Sequence, residues 1–154
     1  MGIWKDRFYS ILGAYHYKGE YKNGKKHGSG KIFYQNGDLM YDGSWENDLF
    51  HGKGRFYSEE GDLCYTGNFL HGTMHDEKAM IYYKNGNFKY IGGYKHSKKY
   101  GTGKSYYENG NLKYEGDFKY DTYHGTGTLY YENGSIRYKG KFEYGEFVDY
   151  GKQF

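Results

Sequence analysis

Seven histidines and a recurring phrase, His-Gly-x-Gly, are the features of this 154-residue chain with the most obvious chemical potential. The phrase stands at His27–Gly30, His51–Gly54 and His124–Gly127, and Tyr100–Gly103 is a variant. Imidazoles ligate transition metals and move protons near neutral pH. The spacing argues against a shared ion. Equivalent positions in adjacent hairpins stand about 10 Å apart, two strands at about 4.8 Å each. Ligands on one zinc, each about 2.1 Å from it, lie within about 4 Å of one another. Each histidine is therefore expected to be structural, bonding a neighbouring loop or packing on a ring. His71 and His75, beside Asp76 and Glu77, could approach each other. No ordered spacing or nearby cysteine supports a metal there, and no metal or cofactor is expected. The Gly-x-Gly pairs are not phosphate loops, because no helix follows to supply an N-terminal dipole. Cys64 stands alone, with no matched histidine. Carboxylates are scattered without a constellation for acid–base work. The expectation is a protein that is not an enzyme.

A second phrase, Tyr-x-Gly-x-aromatic, starts at Tyr17, Tyr41, Tyr65, Tyr90, Tyr114 and Tyr138, in steps of 24, 24, 25, 24 and 24 residues. A third, a turn phrase, includes Asn36-Gly37, Asn85-Gly86, Asn109-Gly110 and Asn133-Gly134. One copy breaks the pattern: His75–Ala79 carries one extra residue and lacks both glycines. Fixed periods of this length signal a repeat architecture with partial units as caps. The reading is a single domain over 1–154: an N-terminal half repeat at about 8–16, five repeats at about 17–137, and a C-terminal partial repeat at about 138–154.

These phrases resemble the MORN repeat family, whose units are built around Tyr-x-Gly and His-Gly-x-Gly. The resemblance covers roughly residues 8–147. The spacing from turn glycine to the next tyrosine, as in Asn109–Tyr114, is similar to bacterial-type members. The resemblance implies a scaffold or adaptor that binds another protein. It also implies, as alternatives, a module for anionic lipid or phosphoinositide surfaces, or an accessory, antitoxin-like partner of an operon-encoded enzyme.

The elements that would position these residues are hairpins. Asn-Gly between strand-like segments signals a two-residue type I′ turn. Centring it on Asn36-Gly37 pairs Tyr34 with Leu39, Ile32 with Tyr41, Gly30 with Gly43 and Gly28 with Trp45. Side chains alternate along a strand. One face thus holds rings and glycines together, with Gly28, Gly30 and Gly43 as slots for neighbouring rings. The expected fold is all-β, an elongated single twisted antiparallel sheet of stacked β-hairpins. The opposite face carries Lys31, Phe33, Met40 and Asp42. Four residues before each turn glycine stand Tyr9, Phe33, Tyr57, Tyr82, Tyr106 and Tyr130, a column of rings bordered by charge. This column, with Lys31, Arg55, Lys104 and Arg137 setting register, is the candidate site for an extended peptide or a helix of a partner protein. The second tyrosines, Tyr107 and Tyr131, should serve neighbour packing.

Composition agrees. Aromatics are 23% of residues, with 23 Tyr, 10 Phe, 26 Gly and no Pro, while all hydrophobic types reach only 36%. Rings rather than aliphatics must supply the core. A net charge of +3 is too balanced to suggest nucleic acid. One cysteine and no long apolar run suggest a cytoplasmic protein. Basic segments at 22–27 and 95–100 could touch anionic headgroups. Open sheet edges would also permit homo-oligomers.

Overall fold

A computed structural model describes residues 16–148 and the backbone of 152–153. Tyr9 and nearly all of the N-terminal half repeat lie outside the described residues. The chain divides into two compact units, Met1–Met74 and His75–Phe154, at the stretch where the repeat pattern breaks. The all-β reading of stacked antiparallel hairpins holds in both. Among the described residues no helix is long and apolar enough to cross a membrane.

The N-terminal unit contains β1 (His16–Lys22), β2 (Lys25–Phe33), β3 (Leu39–Glu46), β4 (Leu49–Tyr57), β5 (Leu63–Leu70) and the short β6 (Thr73–Met74). Each of β1 to β5 pairs antiparallel with the next, and β6 pairs with β5. The C-terminal unit contains β7 (Asp76–Tyr82), β8 (Phe88–Lys95), β9 (Lys98–Tyr106), β10 (Leu112–Lys119), β11 (Thr122–Tyr130), β12 (Ile136–Glu143), β13 (Glu146–Phe147) and β14 (Lys152–Gln153). Strands β7 to β13 again pair in sequence order, and β14 pairs with β12.

Two kinds of turn alternate, and the sequence reading assigns one of them wrongly. At Asn36-Gly37 the Tyr34 amide donates to Asp38 O at 2.8 Å, and the Gly37 amide donates to Tyr34 O at 3.0 Å. Only Gly37 has positive φ, 92°. This is a three-residue loop, Gln35-Asn36-Gly37, and not a two-residue type I′ turn. Phe33 faces Leu39, and Met40 is an extra, bulged residue before Ile32 meets Tyr41. Tyr34 therefore pairs with Asp38 rather than Leu39. The longer loop and the bulge cancel, so Ile32–Tyr41, Gly30–Gly43 and Gly28–Trp45 pair as expected. True type I′ geometry, positive φ at two successive residues, occurs at the other edge: Asn23-Gly24, Asn47-Asp48, His96-Ser97 and Tyr120-Asp121. The basic segments at 22–27 and 95–100 are strand ends around such turns, not long loops.

The ring-and-glycine face is the core. Tyr41, Tyr65, Tyr90 and Tyr114 are each 0% exposed and Tyr138 is 1% exposed. Each folds its ring over glycines: a Cβ on Gly127 would stand 2.5 Å from Tyr114 Cε2. Each phenol then donates to the carbonyl three residues on, as Tyr114 does to Asp117 O at 3.0 Å and Tyr65 to Asn68 O at 2.7 Å. The arrangement satisfies the one polar atom of a fully buried ring. In the N-terminal unit Tyr41 stacks on Phe50 at 4.0 Å and meets Trp45 and Phe69 edge-on. In the C-terminal unit Tyr114 stacks on Tyr123 at 3.9 Å and meets Phe118 and Phe142 edge-on. Gly28 is not a ring slot. A Cβ there would meet the Glu20 carboxylate, and its φ is +65°. The equivalent Gly125, φ +59°, stands beside Asp117, whose Oδ2 accepts from the Thr126 amide at 3.2 Å. The first glycine of His-Gly-x-Gly serves a left-handed backbone, and the second admits the ring.

Hairpins are also tied through both edges. Tyr34, Tyr83 and Tyr107 donate their hydroxyls to Tyr57 O, Tyr106 O and Tyr130 O at 2.7–2.9 Å. Of the two second tyrosines expected to serve neighbour packing, Tyr107 does so. Tyr131, in the last such position, is 45% exposed. At the other edge Asp48 and Asp121 each accept from, and donate to, the backbone of the preceding hairpin at Lys26 and Lys99.

The ring that stacks on Tyr41, Tyr114 and Tyr138 lies nine residues after each: Phe50, Tyr123 and Phe147. In two repeats this place is taken by lysine. Lys26 lies 5.5 Å over Tyr17, and Lys99 lies 5.0 Å over Tyr90 and 5.6 Å over Phe118. Burial holds the Lys99 ammonium below its ordinary pKa, with nearby Asp121 opposing. Keeping that charge dehydrated costs folding free energy that a ring would not. Lys99→Phe is expected to stabilise the protein by about 1 kcal/mol after the lost cation–π contact is counted. The measurement is the thermal midpoint, which should rise by a few degrees; a fall would show that the cation is the better occupant.

Candidate functional site

The second face of each unit begins at the residue after each Tyr-x-Gly tyrosine. In the C-terminal unit, register places Met80 opposite Ile91, Ile91 opposite Lys104, Lys104 opposite Glu115, and Glu115 opposite Thr128. Next to this row stands the ring column. Tyr82 pairs with Phe88, Tyr106 with Leu112, and Tyr130 with Ile136. The N-terminal unit repeats it, with Phe33 opposite Leu39 and Tyr57 opposite Leu63.

All five described column residues, Phe33, Tyr57, Tyr82, Tyr106 and Tyr130, are half-buried. They are not isolated rings. Phe88, 40% exposed, stands 5.3 Å from Tyr82 and 6.3 Å from Tyr106, between centroids. Leu39, Leu63, Phe88, Leu112 and Ile136 fill the places between rings, so each unit presents an apolar stripe rather than spaced single rings. The stripe was in the sequence as an apolar residue two places after every turn glycine. It is missed when that residue is assigned to the glycine face, as the two-residue turn required.

The charged border is paired locally. Lys31 Nζ lies 3.2 Å from Asp42 Oδ2, and Lys104 Nζ lies 3.3 Å from Glu115 Oε2, with half-exposed side chains in both pairs. Such pairs contribute about 0–1 kcal/mol to stability. Arg55 stands in register with Asp42 on one side and Thr66 on the other. Tyr130 donates to Glu115 Oε1 at 2.7 Å. That hydrogen bond holds the Glu115 carboxyl below its ordinary pKa, and it raises the Tyr130 phenol. Arg137 stands apart from the column. It is the bulged residue of its hairpin, and its guanidinium lies 5.8 Å over Tyr131. Lys89 over Tyr83 and Lys113 over Tyr107 repeat that placement.

His51, His75 and His124 lie along the type I′ edge, and each packs on the ring at the first turn position of the following hairpin. His51 meets His71 at 5.3 Å, His75 meets His96 at 5.7 Å, and His124 meets Tyr144 at 5.6 Å. Packing on a ring was the expected role. His71 thus meets His51, and His75 meets His96, because each turn folds back over the hairpin before it. Glu46, His51 and His71 bring three potential metal-ligating atoms within 4.8 Å of one another.

The cations of the basic segments are largely engaged with rings. Besides Lys26 and Lys99, Lys95 lies over Tyr100 and Lys98 over Tyr120.

Family models match the same periodicity. The MORN repeat model matches residues 17–39, 41–63 and 114–136, and the MORN repeat variant model matches 99–120. Comparison with curated proteins returns no match. Hairpins whose Tyr-x-Gly tyrosines lie across the glycines of His-Gly-x-Gly, matched by family models over more than half of the residues, place this chain in the MORN repeat family.

Proposed function

We propose that the protein is a non-catalytic scaffold or adaptor, and that the second face of its C-terminal unit holds a helix or extended peptide of a partner protein. MORN repeats generally bind proteins or membranes and are generally not catalytic. The observation that carries the finer reading is the row Tyr82–Phe88–Tyr106, half-exposed rings at steps of 5.3 and 6.3 Å. The buried core lies on the other face and is complete without it. An α-helix advances about 5.4 Å per turn, so apolar residues at i, i+4 and i+7 laid across the strands would meet successive rings. An extended peptide would instead use the row through alternate side chains. Lys104, Glu115 and Tyr130 form a polar rim beside it that can fix a partner's register. The engagement of Lys26, Lys95, Lys98 and Lys99 with rings leaves the partner-protein reading better supported than a lipid one.

The test is capture from native lysate by wild-type protein and by the Tyr82→Ala/Tyr106→Ala double variant. Both rings are half-exposed, so the variant should keep its β-sheet circular dichroism. A protein retained by wild type should be lost by the double variant, a change of at least about 2 kcal/mol in binding. Equal retention by a folded double variant would overturn the assignment.

A further inference from the structure

We infer that Glu46, His51 and His71 form a binding site for a divalent ion of the zinc class. Three observations converge. The donors come from two rigid turns. Glu46 and His51 flank the Asn47-Asp48 turn, and His71 occupies the first position of the next one. That second turn is clipped over the first hairpin by the Gly72 amide, which donates to Phe50 O at 2.9 Å. Next, the donor atoms already face one another. His51 Nδ1 stands 3.3 Å from Glu46 Oε2, and one atom from each of the three residues lies within 4.8 Å of the others. Ligands on a tetrahedral zinc are about 3.4 Å apart. Side-chain rotation of Glu46, whose side chain is 40% exposed, and of exposed His71 covers the difference. Two imidazoles and a carboxylate suit zinc and its neighbours rather than magnesium or calcium, and they leave a fourth position open.

The repeat supplies an internal control. His51 Nδ1 is sealed from solvent without a hydrogen bond, but so are the Nδ1 atoms of His75 and His124. The orphaned nitrogen therefore marks the repeat position, not the metal site. What is particular to one copy is the company. The sequence positions equivalent to Glu46, His51 and His71 read Lys22, His27, Asn47 in the copy before and Lys119, His124, Tyr144 in the last. Where Lys replaces Glu46 and Asn or Tyr replaces His71, the same backbone holds no donor set. This inference is independent of the partner-binding face.

The experiment is calorimetric titration of the full chain with zinc chloride, with magnesium chloride as the control. Saturable 1:1 zinc binding with no magnesium signal is expected. His71→Asn places at that left-handed position the residue the chain itself uses at Asn47, so folding should persist. It should weaken zinc binding at least about tenfold, and Glu46→Lys should do the same. His96→Asn should leave binding unchanged. No saturable zinc binding by wild type overturns the inference. Unchanged affinity in folded His71→Asn, or an equal loss in His96→Asn, overturns it as well.

Discussion

Gly127→Val is expected to destabilise the protein by at least about 3 kcal/mol and to lower its thermal midpoint by about 10 °C or more. The cause is geometric. Gly127 pairs with Gly116 on one side and Gly140 on the other, in the middle of β11. The Tyr114 ring lies flat over this backbone, and a Cβ would stand 2.5 Å from its Cε2 and Cζ. Valine adds two more methyls. The ring must leave, and it is no peripheral group. It is 0% exposed, stacks on Tyr123 and meets Phe118 and Phe142. Displacing it also orphans the hydrogen bond to Asp117 O. Thr126→Val, one residue away and exposed, is the matched control and should shift stability by no more than about 0.5 kcal/mol. If Gly127→Val melts with its parent, the ring-over-glycine account of the repeat is wrong.

Ala79 refines this expectation. It stands where the other copies have the second glycine, it is fully buried, and it faces Gly92. A Cβ is accommodated there alongside the extra residue, which bulges β7 between Asp76 and Ala79. A glycine site thus yields only when the strand is also re-registered, and a point substitution at Gly127 brings no such change.

The core was legible because its signal is a strict period of large and absent side chains. Tyr41, Gly43 and Trp45 alternate with Gly28, Gly30 and Ile32 in a way only one strand register satisfies. The turn was misread because Asn-Gly fits a type I′ turn locally, and two errors of one residue each cancel before Tyr41. Their only trace is at Leu39 and Met40, yet that trace decides the makeup of the second face. It moves Leu39, Leu63, Phe88, Leu112 and Ile136 beside the ring column, and it moves Arg137 away. The histidine pairs were illegible for another reason. His51 and His71 meet because one turn folds back across the preceding hairpin, a contact twenty residues apart that no motif within one repeat encodes. Lys99 lies over Tyr90 of its own hairpin, nine residues back, so a segment that reads as a basic surface loop contributes a structural cation.

Alkaline pH should unfold the protein cooperatively, beginning near pH 10. Burial pushes the phenols of Tyr41, Tyr90, Tyr94 and Tyr114 far above their ordinary value of 10.0, and raises Tyr17, Tyr83 and Tyr123 as well. The sign follows from linkage. Above pH 10 the unfolded chain loses these protons while the folded chain keeps them, so the folded state binds more protons and stability falls as pH rises. The contribution is fully present below pH 10. Allowing for screening near the surface, each strongly raised phenol costs about 1 kcal/mol per pH unit beyond that point. Four of them together remove about 4 kcal/mol per unit, comparable with the total stability of a small domain. Lys99 acts oppositely, since its depressed ammonium makes stability rise with pH up to its ordinary range, but it is one group against four. Phenolate absorbance near 295 nm, followed together with near-ultraviolet circular dichroism, checks this directly. The buried phenols should ionise in step with loss of the dichroism signal. A smooth titration of all 23 tyrosines with the fold intact would contradict a core made of buried rings.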